Sequence, residues 1–439
     1  MISIVRFLYN LLFPVVLVVL LPGFLLRMLR RGKYRHKFWQ RFGIYSAGVR
    51  GRIGDGRVWV HAVSVGEVMI ALKLMRSLRD LDPEIRFVLS TTTSTGFKLA
   101  ARAKSPWLEP IYNPLDFLFT ARSAVRAIRP RQLILVEAEA WPNILAEVRA
   151  LGAKIVMVNT RLSSRSEKRY RMVRFLAAPV FNQIDCFCLQ EPGDIPRWTA
   201  LGVDPQKLVV TGSIKFDEDA TGPRAARDFR PILRSLGIPD EAPILLGGST
   251  FDGEEALLGR VFQNLRRVHP ALFLIVVPRH FERSSDVSRD LSAQGLRVAR
   301  RTEGATSETP DVLVVDTTGE LRDWYPCATI VFMGKSLLAK GGQNPAEPVA
   351  AGIPVVFGPN MQNFASLASQ LLRAGGALEV GGEGELFAAV DRLLADPSLR
   401  SAMTENAIGS LDVHRGATLR TCDVLATFGV FSSRLDVGG

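Results

Sequence analysis

From residue 58 onward, short apolar runs alternate with amphipathic stretches of helical length, and this alternation restricts the possible folds more than any other feature of the sequence. Short apolar strands separated by helices favour parallel sheets wound by right-handed crossovers. The sequence therefore predicts an α/β fold. Eleven runs carry the pattern, at 58–63, 86–90, 132–136, 154–159, 186–190, 208–211, 244–248, 271–277, 311–315, 328–333 and 354–357.

The chain is long enough for two domains, because its 439 residues exceed the roughly 250–300 at which one hydrophobic core stops growing. The break is best placed in the charged, proline-punctuated stretch at 217–242, near residue 225. This division predicts a membrane anchor at 1–30 and Rossmann-like domains at 31–225 and 226–439. Two such domains facing each other across a cleft form the GT-B architecture, whose ligands bind at the carboxyl ends of the strands.

An apolar run at 11–26, which extends back to Phe7, precedes a basic segment at 27–52 with nine Lys and Arg and no acidic residue. At ~1.5 Å per residue the run reaches about 24 Å, so a full span and a helix in one leaflet both remain open. The positive charge after the run and the lack of a small-x-small site argue against a cleaved signal peptide. The positive-inside rule places the remainder of the chain in the cytoplasm.

Composition narrows the function classes. The net charge of +12 is concentrated beside the anchor, where it attracts anionic lipid, so a membrane-associated nucleic-acid binder is only a minor alternative. The four cysteines have neither the density of a disulfide scaffold nor the spacing of a zinc site, and we expect no metal. The absence of a GxGxxG, Walker A or GxSxG motif removes the usual support for dinucleotide and P-loop chemistry.

Three loops that follow strands in the first domain contain candidate catalytic residues. Ser64-x-x-Glu67 has the spacing of a capping box, yet Glu67 also stands where a general base for an attacking hydroxyl would stand. Glu137 and Glu139 follow another strand; their repulsion could raise one pKa, or they could simply favour the following helix dipole. Lys215 could contact a carboxylate or phosphate, or be solvated. The residues alone leave each of these alternatives open.

Loops after strands in the second domain could bind an anion. Residues 247–250 (Gly-Gly-Ser-Thr) offer backbone N–H groups between a strand and a helix, or form an ordinary capped turn. Arg279 presents a planar fork that matches a phosphate, or makes a surface ion pair. The polar loop at 316–320 repeats the arrangement.

The run at 341–348 is the strongest pattern in this half of the chain. The residues are typical of a helix start, with Asn344 as N-cap, Pro345 at the first helical position and Glu347 at the third. Helix capping alone could therefore account for them. Glu347 also stands where a GT-B nucleotide domain places a carboxylate against ribose hydroxyls, and one residue can do both.

Taken together, the order and spacing of these motifs resemble the 3-deoxy-D-manno-octulosonic acid (Kdo) transferases of lipopolysaccharide biosynthesis, over nearly the whole chain. Two positions depart from the family pattern, because Ala138 replaces a Thr between the two glutamates and Gln343 replaces a His before Asn-Pro. The segments that carry the resemblance are the N-terminal anchor, 61–67, 137–143, 159–163, 211–217, 278–280, 316–321, 341–347, Gly358-Pro359 and Asn363-Phe364.

The resemblance implies roles for particular residues. It implies that Glu67 is the catalytic base and that Glu137 and Lys215 stabilise the transition state. It also implies that CMP is held by Pro278, Arg279, Thr318, Gly319, Glu320, Asn344, Pro345, Ala346 and Glu347.

The expected activity is inverting transfer of Kdo from CMP-Kdo to a lipid A precursor of the lipid IVA type, on the cytoplasmic side of the bacterial inner membrane. The expected partners are this donor, this acceptor and inner-membrane lipids, without nucleic acid and without a cofactor. A single donor phosphate can be neutralised by basic side chains and helix N-termini, so no metal is expected. The alternative is another GT-B glycosyltransferase that uses a different nucleotide sugar, such as a UDP-sugar.

Overall fold

The computed structural model describes residues 2–31, 37–54, 56–137, 139–162, 164–217, 227–304 and 308–431, with the backbone alone at 20–31 and 164–165. The described residues form two compact units. The first contains residues up to 217 together with 414–431, and the second contains 227–413. The boundary expected near 225 lies outside the described residues.

The first unit is built on a seven-stranded, wholly parallel sheet with strand order β3-β2-β1-β4-β5-β6-β7. Its strands are almost continuously apolar because helices cover both faces. The strands are β1 (Val58–His61), β2 (Phe87–Thr91), β3 (Leu108–Tyr112), β4 (Gln132–Val136), β5 (Lys154–Thr160), β6 (Cys186–Leu189) and β7 (Leu208–Val210).

Two cores lie on the two faces of this sheet, and successive residues of β1 show the alternation. Trp59 enters one core, whereas Val58 and Val60 enter the other. The helices of this unit that precede the second sheet are α1 (Ile2–Arg31), α2 (Ala47–Ile53), α3 (Val65–Leu81), α4 (Ser94–Arg102), α5 (Leu118–Ile128), α6 (Pro142–Ala150), α7 (Ser164–Met172), α8 (Arg174–Phe181) and α9 (Ile195–Ala200).

The second unit repeats this plan, with a parallel seven-stranded sheet of order β10-β11-β9-β8-β12-β13-β14. Its strands are β8 (Ile244–Thr250), β9 (Phe273–Pro278), β10 (Val298–Arg300), β11 (Val312–Val314), β12 (Ile330–Met333), β13 (Val355–Phe357) and β14 (Ala377–Glu379). Its helices are α10 (Arg230–Ser235), α11 (Glu254–Arg266), α12 (Ser284–Ala293), α13 (Leu321–Trp324), α14 (Ala346–Ala350), α15 (Ala365–Arg373), α16 (Glu383–Ala395) and α17 (Pro397–Asp412).

The last helix, α18 (Ala417–Thr427), corrects the expectation that residues 226–439 form one domain, because it packs on the first unit. Cys422 and Leu425 are fully buried in the core that also contains Val58 and Val60. Gln132, at the start of β4, donates a hydrogen bond of 3.0 Å to the carbonyl of Phe428. The second unit therefore ends near residue 413.

The helix α1 begins at Ile2, earlier than the apolar run suggested, and its window Ile2–Val19 is long and apolar enough to cross a membrane. One face of its first turns contacts the first unit. Arg6 forms an ion pair of 2.6 Å with Glu147, and Asn10 donates a hydrogen bond of 3.1 Å to Asn143. The remaining face of the described part, from Ile4 to Val19, is mostly exposed.

Candidate active site

Each sheet has a point where the strand order reverses, and some of the expected site residues follow the strands at these points. In the first sheet the reversal lies between β1 and β4, and in the second it lies between β8 and β12. The loops after such a pair of strands diverge and leave a crevice at their carboxyl ends. Glu67 and Glu137 follow the first pair of strands.

Glu67 realises the capping box that its spacing indicated. Its backbone N–H donates to Ser64 Oγ at 3.3 Å, while its carboxylate accepts from the amide of Ser64 at 3.2 Å and from that of Val63 at 2.8 Å. Glu67 as a whole residue is only 9% exposed. Each oxygen accepts one amide N–H, so each keeps a lone pair for another donor.

Glu137 is the first residue after β4, and its backbone adopts the left-handed conformation, with φ 68°. Burial raises the pKa of Glu137 to about 7, and the neighbouring carboxylate of Glu67 adds to the shift, whereas Lys215 and Arg161 oppose it. The three residues expected to be catalytic therefore belong to one electrostatic cluster within the first unit.

The expected carboxylate pair needs a correction. The carboxylate that helps to raise the pKa of Glu137 is Glu67, not Glu139. Glu139 instead lies beside His61, with Oε2 at 3.7 Å from Nε2. Two residues of separation would align the side chains only in an extended chain, and the left-handed turn at Glu137 ends that extension.

Lys215 lies in the turn at 214–216 that follows β7. Its side chain reaches solvent, but the surrounding protein atoms displace enough water to lower the pKa of Lys215, and the carboxylate of Glu137 partly restores it. The loop itself is bound firmly. Asn159 Oδ1 accepts the amide N–H of Ile214 at 2.9 Å, and Lys73 Nζ donates to the carbonyls of Ile214 and Asp217.

Lys73 is a residue that sequence reasoning missed. Its position on an amphipathic helix gave no signal, because its carbonyl partners lie more than a hundred residues later in the chain. Asn159 had a weak signal, since a polar residue ends an apolar strand and asparagine tolerates its left-handed φ of 53°.

In the second unit, β8 runs through Thr250, so residues 247–250 lie inside the strand and are not a post-strand loop. Pro278 ends β9, and the backbone N–H of Arg279 donates to the carbonyl of Thr250 at 2.9 Å. The Arg279 side chain is exposed and makes no ion pair among the residues described, which leaves its guanidinium accessible to a ligand.

The loop after β11 contains both exposed and buried residues. Thr318 and Gly319 are exposed, and Gly319 is left-handed with φ 81°. Glu320 is buried, and its Oε2 accepts the Thr317 hydroxyl at 2.6 Å. The carboxylate also forms ion pairs, with Oε2 at 3.6 Å from Arg301 Nε and Oε1 at 3.8 Å from Arg227 Nη1. A ligand at this loop would meet backbone and hydroxyl groups first.

The start of α14 lies one residue later than the sequence indicated, since Pro345 precedes the first helical residue, Ala346. Asn344 still satisfies the helix end, with Oδ1 accepting the amide of Ala346 at 3.1 Å. Glu347 accepts a hydrogen bond of 3.2 Å from Asn344 Nδ2. The two side chains fix each other beside the helix N-terminus.

Glu254 is the second functional candidate that the sequence did not reveal. Its carboxylate is fully buried and accepts backbone N–H groups from Phe251, Lys335, Ser336 and Leu337 at 2.6–3.0 Å. It therefore joins the loop after β8 to the loop after β12, on both sides of the reversal point. Glutamate is common in the first turn of a helix, so its presence in the sequence did not indicate that it would link these two loops.

An apolar cavity of about 440 Å³ lies in the first unit beside α1. Its wall includes Leu12 and Phe13 of α1, Trp141 at the start of α6, and Val173 and Phe181 near α8. Trp141 follows Glu137 closely in the chain, so one loop contributes to the cavity and to the electrostatic cluster. Among the described residues, no three His, Cys, Asp or Glu side chains converge as a metal site.

Comparison with known proteins identifies the family. The family model described as 3-deoxy-D-manno-octulosonic-acid transferase (kdotransferase) matches residues 36–218. The 3-deoxy-D-manno-octulosonic acid transferase of Haemophilus influenzae is 31% identical over 96% of this chain and 98% of its own. The enzyme of the same description from Bordetella pertussis is 33% identical over 84% of this chain and 86% of its own. The chain belongs to the Kdo transferase family.

Solved structures confirm the fold class of this Kdo transferase family member. A glycotransferase of kitacinnamycin is 16% identical, covers 85% of this chain and 99% of its own, and has a TM-score of 0.53. UDP-GlcNAc 2-epimerase from Neisseria meningitidis is 11% identical over 84% of this chain and 99% of its own, with a TM-score of 0.55. Identities this low show the α/β GT-B fold alone.

Proposed function

We propose that the chain is an inverting glycosyltransferase that moves Kdo from CMP-Kdo to a lipid A precursor of the lipid IVA type. The observation that carries the proposal is a cluster of charged residues in a chain of the Kdo transferase family. Glu67 and Glu137 follow the two strands at the reversal point of the first sheet, and the charges of Glu67 and Lys215 both act on Glu137. General bases and charged stabilisers need such a shared, partly desolvated environment.

Glu67 acts as the base in this proposal. It takes the proton of a glucosamine hydroxyl of the acceptor as that oxygen attacks the anomeric carbon of Kdo. The bond from this carbon to the phosphate oxygen breaks, CMP leaves with the electron pair, and the configuration inverts. The amides of Val63 and Ser64 hold the carboxylate in place, which favours proton transfer through orientation.

Glu137 and Lys215 stabilise the charges that develop during this step. The departing CMP gains negative charge as the glycosidic bond breaks, and the ammonium of Lys215 offsets it. Glu137, when ionised, offsets the positive character of the anomeric carbon. Their coupling, visible in the opposing effects on each other's pKa, supports a joint role.

The second unit binds the CMP part of the donor. We assign this role to exposed Arg279, to the loop with Thr318, Gly319 and Glu320, and to residues 344–347 at the start of α14. A guanidinium matches the phosphate, and the carboxylate of Glu347 can accept ribose hydroxyls. Pro278 fixes the chain where β9 ends.

Features of α1 and its surroundings support the proposed acceptor and location. Its apolar exposed face, the basic segment at 27–52 and the cavity beside Trp141 suit a lipid substrate on the cytoplasmic side of the bacterial inner membrane. In the proposal the cavity receives an acyl chain of the acceptor. The proximity of Trp141 to the Glu137 loop would place the sugar head group near the base.

The test is transfer from CMP-Kdo, generated in situ, to a tetraacyl lipid A precursor by wild type and Glu67→Gln. Gln can still accept one of the two backbone amides but cannot accept the proton, so turnover should fall by roughly 10²–10⁴-fold. Its NH2 group would face the second backbone N–H, which should lower the free energy of unfolding by about 1–3 kcal/mol, so the transfer assay is run where both proteins are folded. Ser64→Ala is the matched control, which should lower stability by about 1 kcal/mol and retain most activity.

Other outcomes would contradict parts of the proposal. An active Glu67→Gln would return Glu67 to a purely structural cap. An inactive wild type with verified substrates, stabilised by UDP and not by CMP in a thermal-shift assay, would indicate an enzyme that uses a UDP-sugar.

A further inference from the structure

The loop after β12 places a lysine in an unusual conformation at the reversal point of the second sheet. Lys335 has φ 54°, and Ser249 at the end of the neighbouring β8 has φ 52°. Residues with a Cβ adopt this region rarely, and such outliers persist only where surrounding contacts enforce them. Two of them on adjacent strand ends mark this crevice as a constrained site.

The contacts that enforce the conformation of Lys335 are visible on both sides. Its backbone N–H donates to Glu254 Oε2 at 2.6 Å, and its carbonyl accepts from the amide of Gly342 at 2.8 Å. The preceding Gly334 is so close to the neighbouring strand end that a Cβ there would lie 2.4 Å from the carbonyl oxygen of Ser249. The backbone of the loop cannot relax without breaking these contacts.

The side chain of Lys335 extends over the loop that leads into α14. Its Cε would lie 3.6 Å from a Cβ built on Gly341, and its ammonium lies 5.1 Å from the centre of the Phe251 ring. Within the described residues no carboxylate pairs with this ammonium. A half-buried cation beside an aromatic face, with no anionic partner of its own, is suited to an anionic ligand.

The donor of the proposed function has two anionic groups, a phosphate and a sugar carboxylate. The phosphate can be met by Arg279, so the carboxylate requires a second cation, and Lys335 lies at the reversal point of the same sheet. We propose that Lys335 binds the carboxylate of the donor sugar and thereby selects an acidic sugar. This inference rests on the proposed function and adds a residue that determines specificity.

The experiment compares Lys335→Met, Lys335→Arg and the control Lys340→Met, an exposed lysine in the same loop. In full-length protein in detergent, Lys335→Met should raise the KM for CMP-Kdo roughly ten- to hundredfold, the loss expected for a charge-assisted hydrogen bond. Its Kd for CMP, measured by calorimetry, should stay within about twofold of wild type, since CMP lacks the carboxylate. Lys335→Arg should restore most of the KM.

A further variant separates binding from strain. Lys335→Gly removes both the charge and the strained Cβ, so it should raise the melting temperature and still show the elevated KM. A higher melting temperature with a wild-type KM would overturn the inference, and so would Lys335→Met behaving like Lys340→Met. A parallel loss of CMP affinity would place the charge on the phosphate and overturn the assignment to the sugar. If the wild type fails to transfer Kdo, the proposed function itself is wrong.

Discussion

Asp217 Oδ2 accepts a hydrogen bond of 2.7 Å from the backbone N–H of Thr418, in the first turn of α18. Oδ1 of the same carboxylate accepts the amide of Gly416 at 3.0 Å. The side chain of Asp217 thus caps α18, which lies about two hundred residues later in the chain. The backbone carbonyl of Asp217 accepts a hydrogen bond from Lys73 Nζ. The loop that carries Lys215 is held between α3 and α18.

Asp217→Asn should therefore affect both stability and catalysis. Asparagine keeps one acceptor and presents an amide to the second N–H, which should cost about 1–3 kcal/mol of unfolding free energy. The looser loop should also lower kcat, because Lys215 loses its fixed position. Thermal unfolding and the transfer assay measure the two effects, with exposed Glu84→Gln as control. Lost stability with an unchanged kcat would show that the loop does not depend on α18.

Glu137 predicts a pH dependence of stability. Its folded pKa of about 7 lies above the ~4.3 of an unfolded glutamate, so the unfolded chain ionises first as the pH rises. The folded protein therefore loses stability between about pH 4.3 and 7, and the loss is complete above pH 7. Glu137→Gln cannot ionise and should become more stable than wild type by about 1–3 kcal/mol at pH 8, but not at pH 4.

Denaturant unfolding of Glu137→Gln and wild type in detergent, at several pH values, measures this difference. The variant should lose transfer activity although it gains stability, as is usual when a residue is strained for function. A stability difference that stays constant between pH 4 and pH 8 would contradict the raised pKa. Glu84→Gln should show no such trend.

Glu254→Gln should destabilise the second unit. The native carboxylate only accepts hydrogen bonds, whereas the glutamine amide would face backbone N–H groups of Lys335 or Ser336 with donors of its own. We expect a loss of about 2–3 kcal/mol and a weaker affinity for CMP. Calorimetry and thermal unfolding measure both quantities. Exposed Glu405→Gln on α17 is the matched control, and equal behaviour of the two variants would contradict the prediction.

The contact between α1 and α6 predicts how the anchor behaves when its polar face is changed. Arg6→Leu removes the ion pair with Glu147 and leaves that carboxylate, which Arg122 also contacts, with one partner fewer. Amide hydrogen exchange of residues 5–13 should then quicken by about tenfold, as for a local opening made easier by roughly 1.4 kcal/mol. Arg126→Leu removes an exposed arginine and should leave the exchange rates unchanged. Equal rates in both variants would mean that apolar packing alone holds α1.

Much of the fold could be predicted because buried parallel strands are continuous apolar runs. All eleven predicted runs are strands. The three strands that were missed, β3, β10 and β14, all lie at sheet edges. All five residues of β3 are buried, but the strand contains Glu109, which pairs with Arg52 and Lys104, and Pro110, which an edge strand tolerates because one side of its backbone is unpaired. These two residues interrupt the apolar run.

The candidate site could be predicted only in part. The residues that we propose to contact a ligand lie in loops that follow strands, and their motifs are visible in the sequence. The residues that hold those loops, such as Lys73 and Glu254, contact backbone groups that lie mostly far away in the chain. A backbone carbonyl or amide looks the same at every position, so no sequence pattern marks such a partner.

The return of α18 to the first unit bears on how the protein is made. During translation α1 and the seven strands of the first sheet emerge from the ribosome long before α18 does. Until α18 is made, Asp217 has no Thr418 amide to accept, and Gln132 has no Phe428 carbonyl to donate to. The first unit therefore cannot form all its contacts before the second unit has been synthesised. A nascent chain interrupted near residue 413 would contain every proposed catalytic residue and still lack α18, so a complete first unit requires that the whole second unit be translated.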